Sequence, residues 1–314
     1  MHLARQVHLS YYDKAQNAPH RPPTGRRVSR VESRRPGSSL AQVVRDIVQY
    51  RELLYELTLR DLRIRYKQSV MGVLWAILTP LVVVLAGAII RWAFASLVGR
   101  TVAPIELAAL AVKSIGWSFF VGGLGFGTAS LTANFPLVTK VYFPRELLPI
   151  SAVLTQAVDS AVGAAAILIV FPLYGLGHAS GLPWIFLLVG LLVAFTTAVS
   201  MLSACANVFF RDAKHIVQLV TSFGIFFTPV FFDLDAFGPA GARTFSLNPL
   251  TPILEGARLA LVTGHDLREP LISASGAVVW APSHLLYASV WALGGLIVSV
   301  IIFRRASGKF AEYV

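Results

Sequence analysis

The sequence has 314 residues, 55% of them hydrophobic and only 14% charged, with a formal net charge of +11. Soluble domains carry roughly 25% charged residues, and the deficit here is concentrated: no Asp, Glu, Lys or Arg occurs from Gln68 to Ile90 or from Ser160 to Phe210. A helix crossing the ~30 Å hydrocarbon core needs about 20 apolar residues, so the second stretch holds two such helices with a turn, and a soluble globular protein is excluded.

The first 42 residues differ in kind. They hold Pro19, Pro22, Pro23 and Pro36, the basic pairs Arg26-Arg27 and Arg34-Arg35, and few aliphatic residues. Such a segment buries too little apolar surface to offset its ordering entropy. It reads as a disordered basic cytoplasmic tail, with weak attraction to anionic lipid headgroups as the alternative. No apolar run follows the basic residues, so it is not a secretory signal. Residues 43–67 read as an amphipathic helix. Val44, Ile47, Val48, Leu54, Tyr55, Leu59, Leu62 and Tyr66 share one arc at about 100° per residue, with Arg51 and Arg65 intruding. Its place directly before the first apolar stretch suits a helix lying in the membrane interface.

Residues 68–314 then read as an all-α membrane domain of six spans, at about 70–97, 105–132, 148–173, 182–209, 214–232 and 283–303. Orientation follows from the basic residues between spans. Lys140 and Arg145, Arg211 and Lys214, and Arg304, Arg305 and Lys309 fall on the same side as the basic N-terminal segment. Both termini are therefore expected in the cytoplasm. The segment 233–281, on the other side, is too apolar for an ordinary loop. Leu250, Ile253, Leu254, Ala257, Leu259, Ala260 and Leu261 recur at near-helical spacing, which predicts one or two short helices that dip back into the outer leaflet or pack across the pore mouth. Broken backbone at membrane depth needs protein or a water-filled cavity to cover it, and that points to transport. Trp92, Trp117, Trp184, Trp280 and Trp291 lie near or within spans, those at span ends suiting the headgroup boundary.

The parts of an enzyme are missing. There is no phosphate-binding Gly-x-x-x-x-Gly-Lys-Ser/Thr loop, no Cys/His metal spacing, and one cysteine, Cys205, inside an apolar stretch. Two charges lie within spans, Lys113 in the second and Asp159 in the third. Such groups usually face the bundle interior and find a partner; the two can pair with each other as a packing device, a proton relay being the alternative. Arg91 is expected to snorkel to the headgroups. The fifth span is rich in aromatics, Phe223, Phe226, Phe227, Phe231 and Phe232, with Pro229 expected to kink it. These rings read as packing or, alternatively, as a pore wall suited to sugar faces.

Several motifs in fixed order carry a resemblance. Arg60-Asp61-Leu62-Arg63-Ile64-Arg65-Tyr66-Lys67-Gln68-Ser69-Val70-Met71-Gly72-Val73-Leu74-Trp75, running on to Thr79-Pro80, resembles the entry to the first span of the ABC-2 type polysaccharide exporter permeases. Lys140-Val141-Tyr142-Phe143-Pro144-Arg145-Glu146-Leu147-Leu148-Pro149 resembles that family's loop between spans two and three. Arg211-Asp212, Thr228-Pro229-Val230, Asn248-Pro249-Leu250 and Phe303-Arg304-Arg305 are similar too, so the likeness runs from about residue 45 to the C-terminus. The resemblance implies a homodimeric permease in the bacterial cytoplasmic (inner) membrane, docked on two copies of a separate ATP-binding subunit that holds the ATP and magnesium. This chain then binds no cofactor, metal or nucleic acid and has no catalytic residue. The implied cargo is a polysaccharide linked to a polyprenyl diphosphate-type lipid, such as O-antigen, galactan, teichoic acid or capsule, bound for lipopolysaccharide or cell-wall assembly. A lipid or drug exporter of the ABC-2 type is the alternative, and an ion-coupled secondary transporter a more distant one. The expected sites follow. Pro136, Lys140, Tyr142, Phe143, Pro144, Arg145 and Glu146 form the loop that couples to the ATPase. Arg60, Arg63, Tyr66 and Lys67 lie where a diphosphate headgroup approaches. Trp75, Phe223, Phe226, Phe227 and Phe231 line the channel.

Overall fold

The computed structural model describes residues 40–67, 72, 74–141, 143–173, 175–308 and 310. Most of the expected basic tail, and Tyr142 of the expected coupling loop, lie outside the described residues. The amphipathic segment forms two helices, α1 (Leu40–Gln49) and α2 (Arg51–Tyr66), which meet at Tyr50. The long helices follow: α3 (Leu74–Leu97), α4 (Pro104–Ala133), then a short α5 (Phe135–Lys140), α6 (Leu147–Leu173) and α7 (Leu182–Phe209). The last long helix, α11, runs from Pro282 to Ser307 with a π turn at Val290–Gly294. Among the described residues five helices are long and apolar enough to cross a membrane.

The expected fifth span is different. Helix α8 covers only Ala213–Phe223 and runs into a 3₁₀ turn at Gly224–Phe226. The chain then leaves helical geometry before Pro229, because proline disfavours the helical region for the residue ahead of it. Pro229 therefore does not kink a continuing helix. Asn248 closes the break: its side-chain amide donates to the Phe227 carbonyl (3.1 Å) and to Thr228 Oγ1 (2.8 Å), and its Oδ1 accepts the Leu250 N–H (3.0 Å). The Thr-Pro-Val and Asn-Pro-Leu motifs are thus two halves of one joint.

Helix α4 is the centre of the bundle and packs against α3, α6, α7 and α8. Its glycines make this possible. A Cβ at Gly123 would stand 2.8 Å from Thr196 Cγ2, and one at Gly127 would stand 2.5 Å from Ser200 Cβ. Small residues of this kind let helix backbones approach where no hydrophobic drive acts between helices in lipid. Polar bonds then fix the register: Ser200 Oγ donates to the Gly123 carbonyl (3.1 Å) and Asn207 Nδ2 to the Thr128 carbonyl (3.2 Å).

The expected short helices of the 233–281 segment are present as a 3₁₀ turn at Leu234–Phe237, α9 (Gly238–Ser246) and α10 (Leu250–Arg258). A two-stranded antiparallel hairpin follows, β1 (Leu271–Ile272) with β2 (Val278–Trp280), which the sequence reading missed. Trp280 is fully buried and donates its indole N–H to the Leu267 carbonyl at 2.9 Å. Together with buried Trp117 it belongs to the core, not to a headgroup belt. The bundle has two ends, a basic end with α2, α5 and the end of α11, and a hairpin end with α9, α10 and the strands.

Candidate substrate cavity and its flanking ion clusters

At the basic end, α2 lies against α6. Two consecutive residues of α2 reach the same carboxylate. Tyr66 Oη donates to Asp159 Oδ1 at 2.5 Å, and the Arg65 guanidinium forms an ion pair with Asp159. Arg65 also donates to Gln156 Oε1 (3.1 Å) and stands 4.0 Å over the Phe126 ring. Burial raises the pKa of the Tyr66 phenol and the Arg65 charge lowers it; the net shift is upward, so Tyr66 remains a donor. Asp159 therefore does not pair with Lys113. The helix α2, invisible as a partner when only spans were compared, supplies its counter-charge.

These groups face a cavity of about 400 Å³ lined by residues of α2, α3, α4, α6 and α8. Tyr66, Trp75, Trp117 and Phe126 give it aromatic walls, and Thr79, Ser118, Gln156, Asp159, Ser160 and Thr221 give it polar groups. Pro80 also lines it. Having no N–H, Pro80 leaves the Ala76 carbonyl without its helical partner. That carbonyl lies opposite Gly163 of α6, at 3.7 Å from where a Cβ would stand. Trp75 is the one expected channel-lining residue that the structure brings to this cavity. Phe231 is buried in the core, and Phe223, Phe226 and Phe227 are exposed on the surface of the chain.

The remaining expected sites divide by environment. On α2, Arg60 donates to Asp61 (2.7 Å) and to Asn134 Oδ1 (2.8 Å), tying α2 to the end of α4. Arg63 and Lys67 are exposed and border, with Arg60, a groove of about 470 Å³. In the expected coupling loop, Pro136 and Lys140 are exposed, Pro144 is partly covered, and Phe143 and Glu146 are buried. Glu146 accepts from Arg304 (2.8 Å), which also pairs with Asp46 of α1 (2.6 Å). Arg145 donates to the Ser307 carbonyl and stands 6.0 Å from the Phe310 ring. Arg145 and Glu146 are thus engaged within the chain.

The hairpin end holds a second cluster. Lys113, fully buried, donates to Asp233 Oδ1 (3.0 Å) and to the Phe232 carbonyl (2.7 Å), with Glu255 at 3.7 Å. Arg91 does not snorkel. It is 7% exposed, pairs with Asp233 (3.2 Å) and Glu106 (3.3 Å), and donates to the Phe231 carbonyl (2.9 Å). Arg258 pairs with Glu255 at 2.5 Å and stands 3.9 Å from Asp233. Burial alone would raise the Asp233 pKa, but Lys113, Arg91 and Arg258 hold its carboxyl well below the usual carboxylate range. The same contacts carry the carbonyls of Phe231 and Phe232, which the broken helix leaves without intrahelical partners.

Comparison with known proteins agrees with this architecture. The family model for the ABC-2 type transporter matches residues 52–262, more than half of the chain. The chain belongs to the ABC-2 type transporter family. It is accordingly a multi-pass membrane protein, the membrane-embedded subunit of a transporter, which in a bacterium places it in the inner membrane. A Myxococcus xanthus protein named O-antigen export system permease protein RfbA is 29% identical over 253 residues, 78% of this chain and 95% of the relative. Two Klebsiella pneumoniae proteins of the same name are 26% and 27% identical, each over 83% of this chain and 94% of the relative. The match to the ABC-2 model spans α2 through α10, so the cavity, the joint at Asn248 and both ion clusters fall mostly or wholly inside it.

Proposed function

We propose that this ABC-2 subunit is the permease of an ATP-driven exporter that moves a lipid-linked polysaccharide out of the cytoplasm for cell-envelope assembly. The observation that carries the reading is the match to three O-antigen export permeases across nearly their whole length. Two copies of the chain are expected to pair and to dock on two copies of a separate ATP-binding subunit. The basic end then faces the cytoplasm and both termini lie there, in keeping with its excess of Lys and Arg. The exposed apolar face of α8, with Phe223, Phe226 and Phe227, and that of α3 suit a second copy. The short helices α9 and α10 then form the outer gate.

Coupling to ATP hydrolysis is assigned to α2 and the loop 134–147. Exposed Pro136 and Lys140 are offered to the partner, while Arg145 and Glu146 anchor the loop to α11. Deleting the gene tests the reading. The surface polysaccharide should disappear and its lipid-linked precursor accumulate inside, and the tagged chain should copurify with an ATP-binding protein. Unchanged surface glycan in the deletion strain rejects the polysaccharide; transport by the chain alone on an ion gradient rejects the ABC mechanism.

A further inference from the structure

The cavity beside Asp159 has a composition that selects among ligand classes. A lipid tail placed there would cover the amide N–H groups of Gln156 and the acceptor positions of Asp159 that Tyr66 and Arg65 leave open, and burying polar groups without partners is costly. An anion would meet the Asp159 carboxylate, and a cation would meet Arg65. The two charges already neutralise each other. A neutral polyhydroxyl ligand meets neither objection. It can use the aromatic walls through its C–H faces and the polar groups through its hydroxyls.

The polar groups have capacity to spare. An ionised carboxylate offers about four acceptor positions, and the structure shows Asp159 taking bonds from Tyr66 and Arg65. Gln156 uses its oxygen for Arg65, so its amide NH₂ remains a donor for a hydroxyl. Ser118 is among the residues lining the cavity, although its Oγ is itself shielded from solvent and has no hydrogen-bond partner among the described residues. The backbone keeps the space open: a Cβ at Gly122 would come within 2.5 Å of the Gln156 amide and push it aside.

We infer that this cavity is a saccharide-binding site within one copy of the chain, with Asp159 and Gln156 holding sugar hydroxyls and Trp75 and Trp117 packing against the ring. It rests on the polysaccharide reading and adds where the glycan is held. At about 400 Å³, within the range of roughly 300–1,000 Å³ for small-ligand pockets, the site takes a short end of a glycan and not its length. Because Tyr66 and Arg65 belong to α2, a sugar that competes for Asp159 also loosens α2 from α6.

The test uses the full chain in lipid nanodiscs prepared without glycoside detergents. Cys205 is replaced by Ala and a reporter thiol is introduced by Ser160→Cys, on the cavity wall. The probe is oligosaccharide released by mild acid from the lipid-linked glycan of the producing cells. It should slow maleimide labelling of the reporter in a saturable way. Gln156→Leu and Asp159→Asn should each raise the oligosaccharide concentration needed by about tenfold or more, the weight of one hydrogen bond to a charged or buried group. Gly122→Ala, which alters no hydrogen-bonding group, should weaken protection through the displaced Gln156 amide. If the oligosaccharide leaves labelling unchanged while the same chain restores surface glycan to a deletion strain, the site is refuted and the export reading stands. If the deletion strain keeps its surface glycan, the polysaccharide reading fails and the site falls with it. Protection that survives both Gln156→Leu and Asp159→Asn also refutes the assignment.

Discussion

At the hairpin end, Arg91, Lys113 and Arg258 meet Glu106, Asp233 and Glu255 in one connected cluster drawn from α3, α4, α10 and the turn after α8. At the basic end, charge is handled in separate small groups. Arg65 goes to Asp159, Arg304 to Glu146 and Asp46, and Arg60 to Asp61, while Arg63 and Lys67 stay exposed. The first arrangement ties the short helices and the broken span to the long ones. The second leaves a cavity and a cationic groove beside α2. The contrast is between an end built to hold its parts together and an end built to receive something and to move.

The most severe way to break the comparison is Asp233→Asn. It leaves Lys113 and Arg91 facing each other with less counter-charge in a buried site. Breaking a fully buried pair by removing one partner costs roughly 3–5 kcal/mol, and because Asp233 is itself 28% exposed while Lys113 and Arg91 are buried, the cost here should fall at the lower end of that range. Fluorescence-monitored thermal unfolding should show this as the largest loss among the single substitutions considered, with reduced yield from the membrane. A loss no greater than that of a surface substitution would mean that the cluster does not hold the hairpin end.

The corresponding change at the basic end is Arg304→Met, which deprives buried Glu146 of its partner. Because Asp46 is about one-third exposed, part of the charge is solvated, and the cost should be smaller, about 1.5–3 kcal/mol. The pair Arg304→Met with Glu146→Gln should lose less than the sum of the two single changes, since the second removes the group that the first leaves unpaired. Additive losses would mean that the two residues act independently and that the loop is not anchored through them.

Asn248→Ala sharpens the comparison at the joint. The side chain bridges Phe227 and Thr228 on one side and Leu250 on the other, in a partly exposed position. Its loss should cost about 1 kcal/mol and fall on the register of α10 more than on the long helices. Hydrogen exchange should rise at residues 250–258 while that of α4 is unchanged.

The long helices were legible because each is an apolar run, and helix length against bilayer thickness is a local property of the sequence. The same rule reads 214–232 as one helix, whereas its helical part ends early, at Gly224–Phe226 ahead of Thr228-Pro229. The charges were the harder part. Read by position, Asp233, Glu255 and Arg258 are loop charges, Arg91 is a terminal residue free to reach the headgroups, and Lys113 and Asp159 are two lone intramembrane ions suited to each other. Each is in fact paired across a long sequence separation, with partners chosen by how the helices pack. Trp280 was misplaced for the same reason: nothing local distinguishes an indole at a span end from one capped by a hairpin. Trp75 sits in a motif at the start of a span, whereas Ser118, Gln156 and Gly122 carry no local signal and become a group only when α4 and α6 are side by side.

The smallest expected effect is one of pH, and its sign follows from the depressed Asp233 carboxyl. A carboxylate whose pKa is lower in the folded state contributes stability that is fully present above its ordinary value and is lost only as pH falls through the folded one. With the ordinary Asp value near about 3.9, the gap in thermal unfolding midpoint between the native chain and Asp233→Asn should not change between about pH 7 and pH 5. It should close only under stronger acid, since it depends on Asp233 being ionised. Partly exposed pairs at the basic end, such as Arg60 with Asp61, are screened by salt more than the pairs that Asp233 makes with the buried cations Lys113 and Arg91. Repeating the measurement at high salt should therefore leave the Asp233→Asn gap in place. A gap that closes already near neutral pH, or that collapses in salt, would mean that the hairpin-end cluster is open to solvent and is no more a fixed joint than the end opposite.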